Sequence, residues 1–319
     1  MEQPKVSVIV AIYNADKTIL HLLDSLQNQT MKDFEVLMIN DGSTDNTPQI
    51  CDRYAESDSR FKAFHKANQG IGATRQFGLE HAAGDYTIHA DADDWVEPDY
   101  LESLYDKAVS SGADMVICDI VTDDGVRCTY RKQEPSSYDT KGLITSLMSG
   151  LNNGPCNKLI RRSVYSDRNI RFHSGFNYGE DQLFNLELIL SGITATYIPK
   201  ALYHYQTEAN PDSAVHGFGP DKIRYRQLFI SALEELLPEE YRNCKDNKAL
   251  EVVYLSILSK SLSGKEFRTR YSYLRRVRWK QYLNKPFSFK LVIWTSLHVS
   301  YRLGLLIVGL KKIIRRLKR

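Results

Sequence analysis

Asp91-Ala92-Asp93-Asp94 is the cluster of residues in this chain best suited to chemistry. It follows residues 85–90, which alternate in character and include the β-branched and aromatic residues typical of a short strand. Acidic residues at the end of a strand in an α/β sheet lie at the edge where such sheets bind ligands. Two carboxylates separated by one residue across a turn can converge on a hard divalent cation, Mg²⁺ or Mn²⁺, which also accepts diphosphate oxygens. The alternative is an acidic turn capping a helix that begins near Pro98.

A second carboxylate, Asp41, follows another strand-like run in the segment Asn-Asp-Gly-Ser-Thr-Asp (40–45). At the ligand edge of a sheet it can accept a hydrogen bond from the N–H of a nucleotide base. Tyr13 leaves the neighbouring strand at a position where its ring can cover a flat base. The structural alternative is a plain strand-to-helix turn, with Ser43 or Asp45 capping the next helix.

A third segment, 68–75, contains two glycines where a helix is predicted to begin, and it ends in Arg75. It lacks the third glycine of a dinucleotide-binding fingerprint, follows a polar loop and comes third in the fold, so that interpretation is rejected. Glycines at the start of a helix still allow a ligand to approach closely. Arg75, one turn into the helix, can reach a base or a phosphate, and the alternative is a solvated arginine on a helix face.

Residues 5 to about 120 alternate apolar strand patterns with amphipathic helix patterns. The order predicts an α/β fold whose Rossmann-like, mostly parallel sheet carries helices on both faces. Residues 120–215 are less regular, with an amphipathic helix after Asp181 and a strand near 196–198. From about 221 the pattern is helical, and turn formers between 210 and 220 mark a boundary. We therefore expect a domain at 1–215 and a smaller helical region at 216–319.

The composition, with 42% hydrophobic and 25% charged residues, is that of a globular protein. The five cysteines are scattered without metal-ligand spacing, which is typical of reduced thiols in a cytoplasmic protein. The N-terminus lacks the pattern of a signal peptide, so no export is expected. The net charge of +3 hides an asymmetry, because residues 265–319 contain sixteen Lys or Arg and one acid, Glu266.

The four ordered segments resemble those of the family-2 glycosyltransferases, which have the GT-A fold. The matching segments are Val6-Ser7-Val8-Ile9-Val10-Ala11-Ile12-Tyr13-Asn14, 40–45, 68–75, and Gly84-Asp85-Tyr86 continuing to Asp94. The resemblance covers about residues 4–215 and implies a nucleotide-diphosphate-sugar donor. It further implies that the donor site is lined by Ala11, Tyr13, Asp41, Arg75 and Ala92, with Asp91 near the ribose or the metal and Asp93 as the principal ligand of Mn²⁺ or Mg²⁺. Ala11 departs from the family, where a hydroxyl or proline is frequent, so only a backbone contact is expected there.

Gly179-Glu180-Asp181, directly before an apolar helix pattern, resembles the Glu-Asp motif of that family, and Asp181 matches its catalytic base. A sugar hydroxyl is a weak nucleophile, and a carboxylate within hydrogen-bond reach can take its proton as the C–O bond forms. A single base opposite the leaving group implies inversion at the anomeric carbon. The alternative is a carboxylate that only caps the helix.

Two further contacts are less defined by the sequence. Asn157 and Lys158 lie in a polar loop, where we expect Lys158 to meet the donor diphosphate or the acceptor. His204 or His216 can complete the metal site, as a histidine does in some relatives. Histidines in a Tyr-His-Tyr strand or a glycine loop also serve structure alone.

The C-terminal segment combines apolar residues, tryptophans and dense basic residues. Lys290, His298 and Arg302 interrupt the apolar stretch 286–310, so a spanning helix is not expected. The pattern favours a helix lying in the interface of an anionic membrane. The alternatives are packing on the body of the protein or on a second copy of the chain. Nucleic-acid binding is not expected, because the basic residues accompany a large apolar face and no binding module.

The prediction is an inverting, metal-dependent glycosyltransferase at the cytoplasmic face of a membrane. It would transfer one sugar from a nucleotide-diphosphate sugar to a glycan or lipid-linked glycan acceptor in surface polysaccharide synthesis. A UDP-sugar is favoured as the donor, and the choice between uracil and thymine stays open. One rival is a sugar nucleotidyltransferase, which would need a glycine-rich phosphate loop after the first strand. The other rival is a non-catalytic scaffold that binds glycan or membrane, although such a protein need not keep Asp93 and Asp181.

Overall fold

The structure, a computed structural model, describes residues 3–176, 178–207, 220–260, 262–278 and 286–317. The chain divides into two compact units, Met1–Asn210 and Pro211–Arg319. Most of the segment 210–220, where the sequence predicts a boundary, lies outside the described residues.

The first unit begins with alternating strands and helices. Its elements are β1 (Val6–Ile12), α1 (Ile19–Gln27), β2 (Phe34–Asp41), α2 (Thr47–Ser57), β3 (Phe61–Lys66), α3 (Ile71–His81) and β4 (Tyr86–Asp91). β1 pairs in parallel with both β2 and β4, and β2 pairs in parallel with β3, which gives the order β3-β2-β1-β4. β1 and β2 are buried throughout and mostly apolar, as expected for central strands covered on both faces.

Helices cover both faces of these strands, as predicted. Val8 and Val10 share one apolar core with Leu22 and Leu23 of α1. Ile9 points to the opposite face, because side chains alternate along a strand. There it meets α3, where a Cβ added to Gly78 would lie 2.3 Å from Cγ2 of Ile9. A glycine inside a helix costs about 1 kcal/mol relative to alanine, and here it lets the helix approach the sheet.

The second half of this unit is more regular than its sequence pattern indicates. Its elements are β5 (Trp95–Val96), α4 (Tyr100–Ser111), β6 (Met115–Asp123), β7 (Cys128–Arg131), α5 (Thr140–Ser149), β8 (Lys158–Arg161), α6 (Ser163–Arg168), α7 (Glu180–Leu190) and β9 (Ala195–Gln206). β8 joins β4 to β6 with antiparallel pairing on both sides, β9 pairs in parallel with β6, and β5 and β7 pair antiparallel with β9 and β6. The predicted Rossmann-like sheet is thus confirmed as a mixed sheet whose first four strands are parallel.

The second unit is helical, as predicted. It contains α8 (Pro220–Leu236), α9 (Arg242–Ser259), α10 (Gly264–Tyr271), α11 (Phe287–His298) and α12 (Tyr301–Leu317), with short 3₁₀ helices at 239–241 and 272–276. Side chains from α9 to α12 form its apolar core, including Val253, Phe267 and Val292. α12 crosses α11 closely, because a Cβ added to Gly304 would lie 1.8 Å from Oγ of Ser296. No described helix is long and apolar enough to cross a membrane.

A buried carboxylate, Glu35, lies near the start of β2, at the end of the sheet opposite to the strand carboxyl ends. It accepts hydrogen bonds from Oγ of Ser7 (2.6 Å) and the backbone N of Ala83 (2.8 Å), and it pairs with Nζ of Lys62 (2.7 Å). Burial by itself raises the pKa of Glu35, but these bonds outweigh burial and lower the pKa. The contacts tie the first three strands to the turn that precedes β4.

Replacing Glu35 with Gln is expected to reduce the free energy of unfolding at neutral pH by about 2 kcal/mol, because it removes charge-assisted hydrogen bonds. The folded-state pKa of Glu35 lies below the unfolded value of about 4.3, so its stabilisation is complete above that pH and is lost as pH falls through the folded pKa. Urea unfolding of both proteins over a pH series measures this. The difference between them should shrink in acid, and a difference independent of pH would contradict the assignment.

Candidate active site

The register of the parallel strands brings the predicted site residues to one edge of the sheet. Ala11 lies beside Asp91 across the β1–β4 pair, and Ile12 lies beside Asn40 across the β1–β2 pair. Asp41 ends β2 next to Lys66 of β3. The sequence prediction that these segments meet at the strand carboxyl ends therefore agrees with the observed register.

Hydrogen bonds between two loops hold Tyr13 above this edge. Asn14, which has φ of 48°, donates from its backbone N to Oγ of Ser43 (2.9 Å) and accepts from the backbone N of Thr44 (2.8 Å). The backbone N of Ala15 donates to Oγ1 of Thr47 (2.9 Å). Tyr13 itself is 54% exposed, so its ring is available to a flat ligand.

The Asp41 carboxylate is buried and orders the loop that leads into α3. It accepts hydrogen bonds from the backbone N of Gln69 (2.9 Å) and Gly70 (2.8 Å), and Nζ of Lys66 pairs with it at short range. Gly70 has φ of 87°, in the left-handed region that glycine adopts without strain. Asp41 thus supports this loop from beneath, rather than presenting a free carboxylate at the surface.

The three aspartates after β4 have different surroundings. Asp93 reaches the surface, but neighbouring protein atoms displace part of the water around its carboxylate. This desolvation, followed by the charge of Asp91, raises the pKa of Asp93. Asp94 is fully buried and accepts hydrogen bonds from the Tyr203 hydroxyl (2.5 Å) and the backbone N of Gln206 (2.8 Å). Burial, followed by the charges of Asp91 and Asp93, raises the pKa of Asp94 well above its ordinary value.

Tyr203 fixes the turn formed by residues 91–94, the acidic turn. Its hydroxyl accepts a hydrogen bond from the backbone N of Asp91 (3.0 Å) while it donates to Asp94. β9 therefore holds both ends of the acidic turn. Neither Asp94 nor Tyr203 was assigned a role from sequence, and only their tertiary pairing identifies one.

Arg75 joins two of the motifs directly. Arg75 is 5% exposed, and its guanidinium lies between Oδ1 of Asp91, 2.9 Å from Nη2, and Oε1 of Glu180, 3.1 Å from Nη1. Burial alone would lower the pKa of Arg75, but the charges of Asp91 and Glu180 outweigh burial and raise it. The sequence places Arg75 beside the donor, whereas in the structure its charged end points inward.

Glu180 and Asp181 begin α7. Gly179, with φ of 77°, precedes them and turns the chain into the helix. Burial and then the charge of Asp181 raise the pKa of Glu180 to about 7, although Arg75 acts in the opposite direction. Asp181 is partly buried, and its Oδ1 accepts a hydrogen bond from the backbone N of Gln182 (2.7 Å). Because one guanidinium bonds to Glu180 and Asp91, the Asp181 end of α7 adjoins the acidic turn.

Lys158 is buried at the start of β8. Its ammonium donates to the backbone O of Asn152 (2.8 Å) and Gly154 (2.7 Å) and to Oδ1 of Asn157 (2.9 Å), which uses all three of its protons. Burial lowers the pKa of Lys158 to about 8. In this conformation Lys158 braces the loop before β8 and offers no free donor to a ligand.

Of the two histidines that could complete a metal site, only His204 lies among the described residues. His204 is paired through Nε2 with Oε1 of Glu97 (2.7 Å), and its ring stacks on Trp95 with centroids 3.4 Å apart. These contacts account for it structurally. His216 lies outside the described residues. Across the part of the chain that the structure describes, no group of three or more His, Cys, Asp or Glu is arranged to hold a metal.

Comparisons with known proteins identify relatives of this chain. EpsH of Bacillus subtilis (strain 168), which is named as a glycosyltransferase, is 36% identical over 217 residues, or 65% of this chain and 62% of its own length. The cholesterol galactosyltransferase of Borreliella burgdorferi is 41% identical over 260 residues, or 76% of this chain and 70% of the relative. Among solved structures, residues 1–349 of S. aureus TarS in complex with UDP-GlcNAc have a TM-score of 0.68 at 21% identity, covering 94% of this chain and 88% of that fragment.

The chain thus spans just under two thirds of EpsH, and its likeness to TarS concerns the fold, which is the predicted GT-A fold. The family model described as glycosyl transferase family 2 matches residues 7–168, about half of the chain. This segment includes the acidic turn and the strand edge described above. On these grounds, the chain belongs to glycosyltransferase family 2.

Proposed function

We propose that this protein is an inverting glycosyltransferase that moves a sugar from a UDP-sugar to a hydroxyl group of a glycan or lipid-linked glycan in surface polysaccharide synthesis. The observation that carries the proposal is the Arg75 ion pair with Asp91 and Glu180, because it brings the acidic turn and the start of α7 together. A group that holds a diphosphate and a group that accepts a proton are then neighbours, as displacement at the anomeric carbon requires.

The proposed donor site lies on the strand edge. Tyr13 stacks on the base, the backbone of Ala11 contacts it, and Asp41 contributes through the loop that it orders. Ala92 lines the site between Asp91 and Asp93. The structure of TarS with UDP-GlcNAc supports uracil as the base and a UDP-sugar as the donor.

Mn²⁺ or Mg²⁺ fits the acidic turn. Asp93 is an exposed carboxylate whose pKa is raised first by partial burial and then by Asp91, and a cation between the two would favour both charges. Arg75 occupies Oδ1 of Asp91, which leaves its other oxygen for a ligand. Mg²⁺-type sites commonly use one or two carboxylates and complete their shell with phosphate oxygens and water, so a third protein ligand is not required. When bound, the cation would neutralise the departing diphosphate.

Asp181 is the proposed base. As the acceptor oxygen attacks the anomeric carbon and the bond to the diphosphate breaks, Asp181 takes the hydroxyl proton. The attacking hydroxyl and the leaving diphosphate lie on opposite sides of the carbon, so the configuration inverts. Lys158 holds the loop before β8 close enough for its charge to interact with Asp181.

The acceptor that we propose is carried on a lipid at the cytoplasmic face of a membrane. The name of the 41% identical relative, a cholesterol galactosyltransferase, supports a lipid acceptor. α12 supports membrane contact, because it buries Tyr301, Gly304 and Val308 against the helical unit while Leu303 (42%) and Leu306 (62%) are exposed. Sixteen basic residues among 265–319 favour an anionic surface. Some of these, including Lys318 and Arg319, lie outside the described residues.

The donor proposal predicts that the protein binds UDP in the presence of Mn²⁺ more tightly than without it, and more tightly than dTDP. Asp93→Ala should weaken Mn²⁺-dependent UDP binding by about tenfold or more, because the ion loses a carboxylate ligand. Isothermal titration calorimetry measures each affinity, with Asp85→Ala, an aspartate at the other end of β4, as the control. UDP binding that is indifferent to Mn²⁺ in both proteins would contradict the metal assignment.

Asp181→Asn is expected to lower kcat by a factor of about 10²–10⁴, the usual contribution of a general base. Binding of UDP with Mn²⁺ should stay close to that of the unchanged protein, because Asp181 lies on the acceptor side. UDP release from UDP-sugars measures turnover, and calorimetry measures binding. Near-normal turnover in Asp181→Asn would show that another group is the base.

The membrane proposal predicts that Leu303→Glu together with Leu306→Glu reduces binding to vesicles of phosphatidylcholine and phosphatidylglycerol by about tenfold or more. Leu228→Glu, which alters a leucine of similar exposure on α8, is the matched control. Co-sedimentation measures binding, and light scattering measures the oligomeric state. If the double variant instead converts a dimer to a monomer with no loss of lipid binding, this face contacts a second copy of the chain.

A further inference from the structure

The guanidinium of Arg75 is buried and pairs with two motifs of the proposed site. Its partners, Asp91 and Glu180, are 16 and 105 residues away in sequence. We propose that Arg75 is a positioning residue that acts through Glu180 to fix the start of α7, and with it Asp181, relative to the acidic turn. This inference rests on the proposed function, because it assigns a role in the same reaction.

The geometry favours positioning over direct binding of the donor. Arg75 is 5% exposed, and two of its nitrogens are committed to carboxylates. The guanidinium carbon also lies 5.8 Å from the centre of the Phe172 ring, on the segment that leads to α7. A planar guanidinium can hold two carboxylates in fixed directions, whereas a lysine ammonium is a point charge on a flexible chain.

A second contact between α3 and this region supports the same role. A Cβ added to Gly72 would lie 2.6 Å from the backbone O of His173 and 4.0 Å from Cγ of Glu180. α3 therefore meets the approach to α7 directly through its backbone, one turn before Arg75. The backbone contact and the ion pair together define where α7 begins.

The ion pair also makes the two carboxylate motifs depend on one another. Removing one partner of a buried ion pair is strongly destabilising, because the remaining charge is left buried. If Arg75 moved away from Glu180, its charge would be paired with Asp91 only. If Asp91 turned away, Arg75 would lose that partner. A displacement of about 1 Å at a reacting group can cost about a hundredfold in rate, so a contact of this kind has catalytic consequences.

The test separates the position of the base from the binding of the donor. Glu180→Ala should lower kcat for UDP release, with water as the acceptor, by about a hundredfold, while KM for the UDP-sugar changes by less than about threefold. Glu180→Gln keeps an acceptor oxygen for Arg75 and should restore kcat to within about tenfold of the unchanged protein. Arg161→Lys is the matched control, because Arg161 pairs with Asp114 (3.3 Å) at the opposite end of the sheet.

A double variant tests whether Arg75 and Glu180 act through the same contact. If Arg75 acts through Glu180, Arg75→Lys with Glu180→Ala should have a kcat close to that of the worse single variant. Hydrogen exchange of the amides at 181–184 should rise in Arg75→Lys and Glu180→Ala but not in Arg161→Lys. A rise in KM with unchanged kcat would mean that Glu180 binds the donor, and multiplicative losses in the double variant would mean that the two residues act separately. Either result overturns the proposal.

Failure of the proposed function has a different signature. If the unchanged protein binds no UDP with Mn²⁺ and releases none from UDP-glucose, UDP-galactose or their N-acetylamino forms, the donor assignment fails for every variant alike. The exchange experiment needs no donor. Unchanged exchange at 181–184 in both Arg75→Lys and Glu180→Ala would overturn the positioning role independently.

Discussion

The ion pair of Arg75 with Asp91 and Glu180 is the constraint on which the arrangement of the site depends. β4 ends at Asp91 because its register with β1 and the Tyr203 hydrogen bond hold it there. α7 begins at Glu180, and no strand pairing relates that helix directly to β4. The buried Arg75 guanidinium supplies this relation together with the close backbone approach of Gly72 to His173, so two segments distant in sequence share one edge of the sheet.

Around this contact, some polar side chains of the first unit are buried and support the loops of the site, whereas others are exposed. Asp41, Asp94 and Lys158 are buried, and their hydrogen bonds hold the loops on which the site is built. Tyr13 and Asp93 are exposed, and Asp181 is partly so. Buried polar groups need partners to offset the loss of hydration, and here the partners are the backbone atoms that must stay in place.

Much of the first unit could be predicted from sequence, because its strands are apolar runs and its helices carry periodic leucines. Val8 and Val10, alternating with Ile9, already indicate a strand covered on both faces, and the helix beginning near Glu180 follows from its apolar pattern. The strands Trp95–Val96 and Lys158–Arg161 could not be predicted, since two to four residues carry no period and form strands only through distant partners. The same limit applies to the side chains. The sequence around Arg75, on a helix face, and Lys158, in a polar loop, is compatible with exposure of both side chains to solvent. Only the tertiary fold determines that both are buried.

The stereochemistry of transfer is the most direct test of the proposed mechanism, because the proposed arrangement, one base facing a diphosphate held at the acidic turn, permits only inversion. Proton NMR of the first turnovers on a UDP-sugar, recorded before the released sugar mutarotates, measures the anomeric configuration of the product. The proposed mechanism predicts the configuration opposite to that of the donor. Retention of the donor configuration would contradict it, since Asp181 could not then be a base acting across the carbon from the leaving group.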